Sequence, residues 1–127
     1  MNINENTARF KSKKFAVRII NLYKILTEQK KEYVLSKQML RSGTSIGANL
    51  AEADYGISKK DFLLKIYISL KECSETLYWL DLLFETKYIN EKEFNSINND
   101  ALELLKMLTA TAKTTSNNIK NNKNTIN

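Results

Sequence analysis

Proline is absent from the 127 residues, and glycine occurs only three times, at Gly43, Gly47 and Gly56. Sheet-rich domains turn often, and their turns are built on Gly and Pro. A chain this poor in both is confined to long helices joined by few, short connections. The apolar spacing agrees. Phe15, Ile19, Leu22, Tyr23 and Leu26 recur along one face of an amphipathic helix. Met39, Gly43, Ile46, Gly47 and Leu50 define a second face. Phe62, Ile66, Leu70, Cys73, Leu77, Leu80 and Phe84 step mostly by four and three, a heptad-like seam. Phe94, Ile97, Ala101, Leu104, Leu105 and Leu108 define a fourth.

Four such segments with short links predict an all-α, antiparallel up-down four-helix bundle. The helices are expected at about 12–29, 36–55, 58–86 and 90–112, within one domain over 1–112. Ser36, Ser58 and Asn90 are the expected N-caps, with Asp61 completing a weak capping box after Ser58. Gly56 is placed to end the second helix in the left-handed conformation. Residues 1–10 are polar and read as loose. Residues 113–127, rich in Asn, Lys and Thr, read as a frayed or disordered tail.

The residue inventory works against catalysis. Without histidine, the commonest general base, the usual nucleophile pairs and the usual zinc and di-iron ligands are missing. Cys73 lies on the apolar seam, where a thiol is packing rather than a nucleophile. Gly43 and Gly47 are one residue too close for a phosphate-binding P-loop, and no Lys-Ser/Thr follows them. The expectation is a non-enzymatic protein with no cofactor and no metal. One cysteine suits a reducing compartment, and no apolar run reaches the roughly 18–20 residues of a membrane span. The chain therefore reads as cytoplasmic, with no membrane partner.

Three features invite a functional reading. Gly43, Gly47 and Ala51 recur every four residues, a strip of small side chains that lets two helix backbones approach closely. The intrinsic helicity lost there, about 1 kcal/mol per Gly, must be offset by that packing. On the other side of the same helix, Gln38, Arg41, Ser45, Asn49 and Glu52 fall in one polar sector. Lys65, Ser69, Glu72 and Thr76 do likewise on the third helix, with Lys71–Glu75 spaced as an ion pair. Such faces are either plain solvent surface or an interface. Tyr67, Tyr78 and Trp79 lie outside the seam, as interface aromatics do. Finally, residues 1–35 carry eight basic and three acidic groups, most of the chain's net +6. Lys11, Lys13, Lys14, Arg18 and Lys24 make a basic stripe that could hold phosphate backbones or simply be a solvated face.

The segment Leu35–Ala53, LSKQMLRSGTSIGANLAEA, resembles the signature of the four helix bundle family also called the 23S rRNA intervening sequence protein family. A second match follows in order: Ser58-Lys-Lys-Asp-Phe62, then Lys65, Ile68, Ser69, Leu70, Lys71, Glu72, Glu75, Thr76, Tyr78, Trp79 and Leu80. Together they cover about 12–110. The sequence departs at Ala53–Asp54, where many members place a glycine, which only moves the helix end. The resemblance implies a four-helix bundle and a ring-shaped homo-oligomer, with five subunits the leading expectation. Some members are encoded within insertions of large-subunit rRNA genes. A related branch is the accessory variability determinant of diversity-generating retroelements, a basic nucleic-acid partner. RNA or DNA is thus the expected partner, with a protein-interaction scaffold as the alternative. Gln38, Arg41, Ser45, Asn49, Glu52, Glu72 and Trp79 are signature positions, candidates for an internal or intersubunit polar network.

Overall fold

A computed structural model describes residues 5–125 and the side chains through Asn122. It contains four helices: α1 (Ala8–Glu28), α2 (Leu35–Ala53), α3 (Lys59–Glu85) and α4 (Glu91–Thr125). Among the described residues there is no strand. Each helix packs on its chain neighbours and α4 closes back on α1, so α1 and α3 are diagonal, as are α2 and α4. Cross-helix partners show the direction. Ile19 meets Gly43 while Ser12 meets Gly47. Ser42 pairs with Thr76 and Glu52 with Lys65. Phe84 stacks on Phe94, with centroids 4.5 Å apart, while Cys73 reaches Ala101. Arg18 meets Asp100 and Lys11 meets Glu103. In each of these four neighbouring pairs the numbering falls on one helix as it rises on the other, the expected antiparallel up-down bundle.

The expected N-caps Ser58 and Asn90 serve as such. The Ser58 hydroxyl accepts the Asp61 N–H at 3.2 Å. Asn90 Oδ1 accepts the Glu93 N–H at 2.8 Å, and the Glu93 carboxylate accepts the Asn90 N–H at 3.5 Å, a reciprocal capping box. Other boundaries differ. Thr7, accepting from the Phe10 N–H, starts α1 at Ala8, four residues earlier than about 12. Ser36 lies inside the first turn of α2 and is not its cap. That turn is held instead by Glu32, only 6% exposed, whose carboxylate accepts the N–H groups of Val34 (3.1 Å), Leu35 (3.0 Å) and Ser36 (2.7 Å). Burial would raise the Glu32 pKa, but these donors outweigh it and hold the carboxyl below its ordinary 4.5.

Gly56 is not left-handed either, since no glycine has positive φ. Its role is close approach: a Cβ there would stand 3.2 Å from the Ala53 carbonyl and 3.3 Å from the Phe62 nitrogen. The left-handed residues among those described are Lys31 (φ 57°), just past the end of α1, and Lys87 (φ 69°), at the end of α3. Around Lys87 the Tyr88 N–H donates to Leu83 O and the Lys87 N–H to Phe84 O, a Schellman pattern closing α3.

The largest difference is α4. It continues to Thr125, whereas composition predicts fraying from residue 113 onward. Propagating an existing helix costs far less than nucleating one. Thr111, Ala112, Thr115, Ser116 and Ile119 also keep one side of the extension half-buried or buried. Ile126 and Asn127 lie outside the described residues.

Phe15, Ile19 and Leu26 of α1 meet Met39, Ile46 and Leu50 of α2, Ile66, Cys73, Leu80 and Leu83 of α3, and Ile97, Ala101, Leu104 and Leu108 of α4. The α3 seam is rotated relative to expectation. Ile66, Cys73 and Leu80 are buried, whereas Phe62, Leu70, Leu77 and Phe84 are half-buried flanks. Ser69 and Thr76, expected on the polar face, are fully buried against α2. The Ser69 hydroxyl donates to Ile46 O at 3.0 Å. Thr76 donates to Glu72 O and shares a 2.8 Å bond with the Ser42 hydroxyl.

The glycine strip does bring α1 and α2 together. A Cβ on Gly43 would stand 2.9 Å from both Cγ atoms of the fully buried Ile19, and one on Gly47 3.1 Å from Ser12 Oγ. Ile19 is β-branched, so it cannot rotate away cheaply. Gly43→Ala should therefore lower stability by about 1–3 kcal/mol, despite the better helix propensity of Ala. Urea denaturation tests this, and a higher midpoint would show that the contact is not limiting. Glu32 should contribute stability above the ordinary carboxylate range and lose it as pH falls through its lowered native pKa. Glu32→Ala should cost about 0.5–2 kcal/mol at pH 7. The difference from wild type should shrink in melts taken from pH 6 down to pH 3.

Candidate functional site

The signature residues of α2 and α3 form a ridge along the seam between those helices. Arg41 projects from α2 and binds two carboxylates one helical turn apart on α3. Nη1 donates to Glu72 Oε2 at 3.0 Å, and Nη2 pairs with Glu75. Glu75 Oε2 also accepts the indole N–H of Trp79 at 3.0 Å. The Trp79 hydrogen bond is the largest influence on Glu75. With the Arg41 pair and nearby Lys71, it outweighs partial burial and holds the carboxyl below its usual range. Glu75 thus turns to Arg41 and Trp79, with Lys71 acting through its charge alone. Further along, Glu52 pairs with Lys65 at 2.6 Å. The Ser45 hydroxyl donates to Arg41 O, and the Asn49 amide donates to Ser45 O. Gln38 is exposed.

Arg41, Glu72, Trp79 and Glu52 therefore have side-chain partners within the chain, whereas Ser45 and Asn49 bond only backbone carbonyls one turn back on α2. Glu75 is the hub that the expected site omitted. Its signal was the i, i+4 spacing to Trp79.

The basic stripe of α1 is divided. Lys11 and Arg18 face α4 and are ion-paired, Lys11 with Glu103 and Arg18 with Asp100 at 2.6 Å. Arg18 also donates to Ser96 Oγ at 3.0 Å. Arg9 pairs with Asp54. Lys13 and Lys24 remain on the outer face beside exposed Val17 and Ile20, while exposed Lys14 lies about 100° round the helix from Lys13, toward α4. Lys14 Nζ lies 5.4 Å over the Phe10 ring. Only three of the five expected contacts are thus turned to solvent and outside an ion pair.

Tyr67 and Tyr78 are exposed, and Trp79 is half-buried, edge-on to Tyr78 with centroids 5.1 Å apart. The turn between α2 and α3 carries Tyr55 and Ile57, 86% and 97% exposed, close in sequence to exposed Leu64. Cys73 is fully buried, its thiol pushed up to about 12 by burial, and Sγ donates to Ala101 O at 3.3 Å. A thiol held protonated at neutral pH cannot act as a nucleophile. Among the described residues no group of three or more His, Cys, Asp or Glu could hold a metal ion. No helix among them is long and apolar enough to cross a membrane.

Trp79 is the single tryptophan, so its emission reports on this network. Acid titration of the fluorescence should show a transition below 4.5, as Glu75 protonates and releases the indole. Arg41→Met should move the midpoint upward. An unshifted midpoint would disconnect Arg41 from Glu75.

A family model described as 23S rRNA-intervening sequence protein matches residues 4–110. A solved structure, that of a protein with unknown function from the S23 ribosomal protein family of Bacteroides thetaiotaomicron VPI-5482, is 53% identical. It superimposes with a TM-score of 0.83, over 84% of this chain and 99% of that one. No curated protein matches.

Proposed function

Because this chain belongs to the 23S rRNA-intervening sequence protein family, we propose that it is a non-enzymatic, cytoplasmic homo-oligomer that associates with RNA or DNA as an accessory protein. The observation that carries the reading is the outer face of α1. Lys13 and Lys24 stand there in solvent, with exposed Lys14 further round toward α4, in a chain of sequence pI about 9.4. Phosphate backbones are the polyanions such a face would meet. Repetition of the face around an oligomer would convert a weak patch into a multivalent one.

Oligomerisation is supported by apolar groups that a monomer leaves wet. Tyr55, Ile57, Leu64 and Tyr67 lie at one end of the α2–α3 ridge, and Tyr33 and Val34 at the start of α2. Exposed clusters of this kind mark contact surfaces. A ring of five is the assembly proposed. The same side chains favour the second reading, a protein-interaction scaffold whose charge is incidental.

One experiment separates the two. Light scattering first establishes the mass in solution, expected at five times the 14.7 kDa chain. Binding to structured RNA and duplex DNA is then measured across a salt series. Tight binding that falls steeply with salt is expected. Lys13→Gln, Lys14→Gln and Lys24→Gln together should flatten the slope by about 0.9 per lysine on a B-form duplex. Salt-independent or absent binding by an assembled protein leaves the scaffold, and a monomer at micromolar concentration removes the ring.

A further inference from the structure

The extended α4 carries a second basic feature that the averaged charge of the chain conceals. The segment 91–127 is nearly neutral, with five basic and four acidic groups, but the two signs are separated along it. Glu91, Glu93, Asp100 and Glu103 all lie in the first half. From Leu104 onward there are four lysines and no acid. Of the acids, Asp100 and Glu103 turn to α1, where Arg18 and Lys11 neutralise them. The lysines do not share that seam. Lys106, Lys113 and Lys120 are exposed, and none forms an ion pair among the described residues.

Their spacing is seven residues. On an α-helix that is a displacement of about 10 Å along the axis with only about 20° of rotation. The three ammonium groups therefore stand in one nearly straight row, about 21 Å from first to last. The row is unlike the α1 stripe, whose basic side chains fan around the helix and are partly paired. Exposed Asn117 lies within the same sector and adds a hydrogen-bond donor. The row also outruns the bundle. Phe84 stacks on Phe94 and Cys73 reaches Ala101, so α4 draws level with Lys59, where α3 begins, near Ser116. Beyond that point α4 projects past its neighbour. The family match ends at residue 110, so Lys106 lies within the matched bundle and Lys113 and Lys120 lie beyond it.

The geometry points to the Lys106–Lys113–Lys120 row of α4 as a phosphodiester-backbone binding arm, separate from the α1 face. This inference rests on the proposed nucleic-acid association and adds where the backbone is gripped. Lysines in line supply point charges to successive phosphates without reading bases, so the arm takes nucleic acid independently of sequence. A helix of Asn, Thr, Ser and Lys is intrinsically weak. Neutralising three like charges along it would make the extension firmer when nucleic acid is bound.

The test compares wild type, Lys106→Gln/Lys113→Gln/Lys120→Gln and the α1 triple variant. The probes are a duplex DNA and a duplex RNA of one sequence and of a scrambled one, across a salt series. All six positions are exposed, and circular dichroism checks that the fold is kept. The α4 variant should reduce the slope of log affinity against log salt by about 2.7 on B-form DNA, equally for both sequences. The polymer on which the loss is larger is the one the arm takes. If wild type binds and the α1 variant weakens it while the α4 variant leaves affinity and slope unchanged, the arm is wrong and the proposed function stands. If wild type binds neither polymer at low salt, both fall.

Discussion

Ile19 resting on Gly43 is the contact on which the arrangement of the bundle depends. A side chain on Gly43 would overlap both branches of the isoleucine, so only glycine lets α1 lie this close to α2. Ser12 against Gly47 repeats the arrangement one turn further along. The close approach places Phe15 and Ile19 in the common core beside Met39 and Ile46. It also fixes the rotation of α1, and with it which basic residues face α4 and which face water. Two glycines within α2 weaken that helix intrinsically. The core they allow to close is what offsets the loss.

The neighbouring α2–α3 seam is narrow for a related reason. Ser42, Ser69 and Thr76 are fully buried, small and satisfied. Ser69 and Thr76 bond to α2, which ties the two helices in register where larger apolar residues would hold them apart. Just outside this seam, Arg41 spans to Glu72 and Glu75, and Glu52 to Lys65. Much of this ridge is exposed, so its ion pairs contribute modestly to stability. Their consequence is geometric: Trp79 and Arg41 are pinned through one carboxylate, and the signature residues present a rigid surface.

Charge shows how far tertiary structure redistributes what composition adds up. The first 35 residues hold most of the net positive charge, yet Lys11 and Arg18 are spent on the acids of α4. Those acids no longer offset the lysines further along α4, which are left as an uncompensated row. Segment totals would rank α1 far above α4 as a polyanion surface. The folded arrangement brings them much closer.

The helix count, the all-α class, two of the caps and the small-residue strip were legible in the sequence, because periodicity and capping are properties of a single segment. The α4 extension was not. Its Asn- and Thr-rich composition argues locally for fraying, whereas its half-buried face and its continuity with a packed helix are supplied by the fold. Ser69 and Thr76 look like surface residues because spacing places them beside Lys65 and Glu72. They are buried because α3 is rotated to meet α2 through them. Likewise, the sequence names Glu75, Trp79 and Arg41 but not their convergence. By itself it determined which faces each helix possesses. The tertiary structure decided which face meets which neighbour, since relative rotation and separation depend on both helices at once and on glycines that set how near they come.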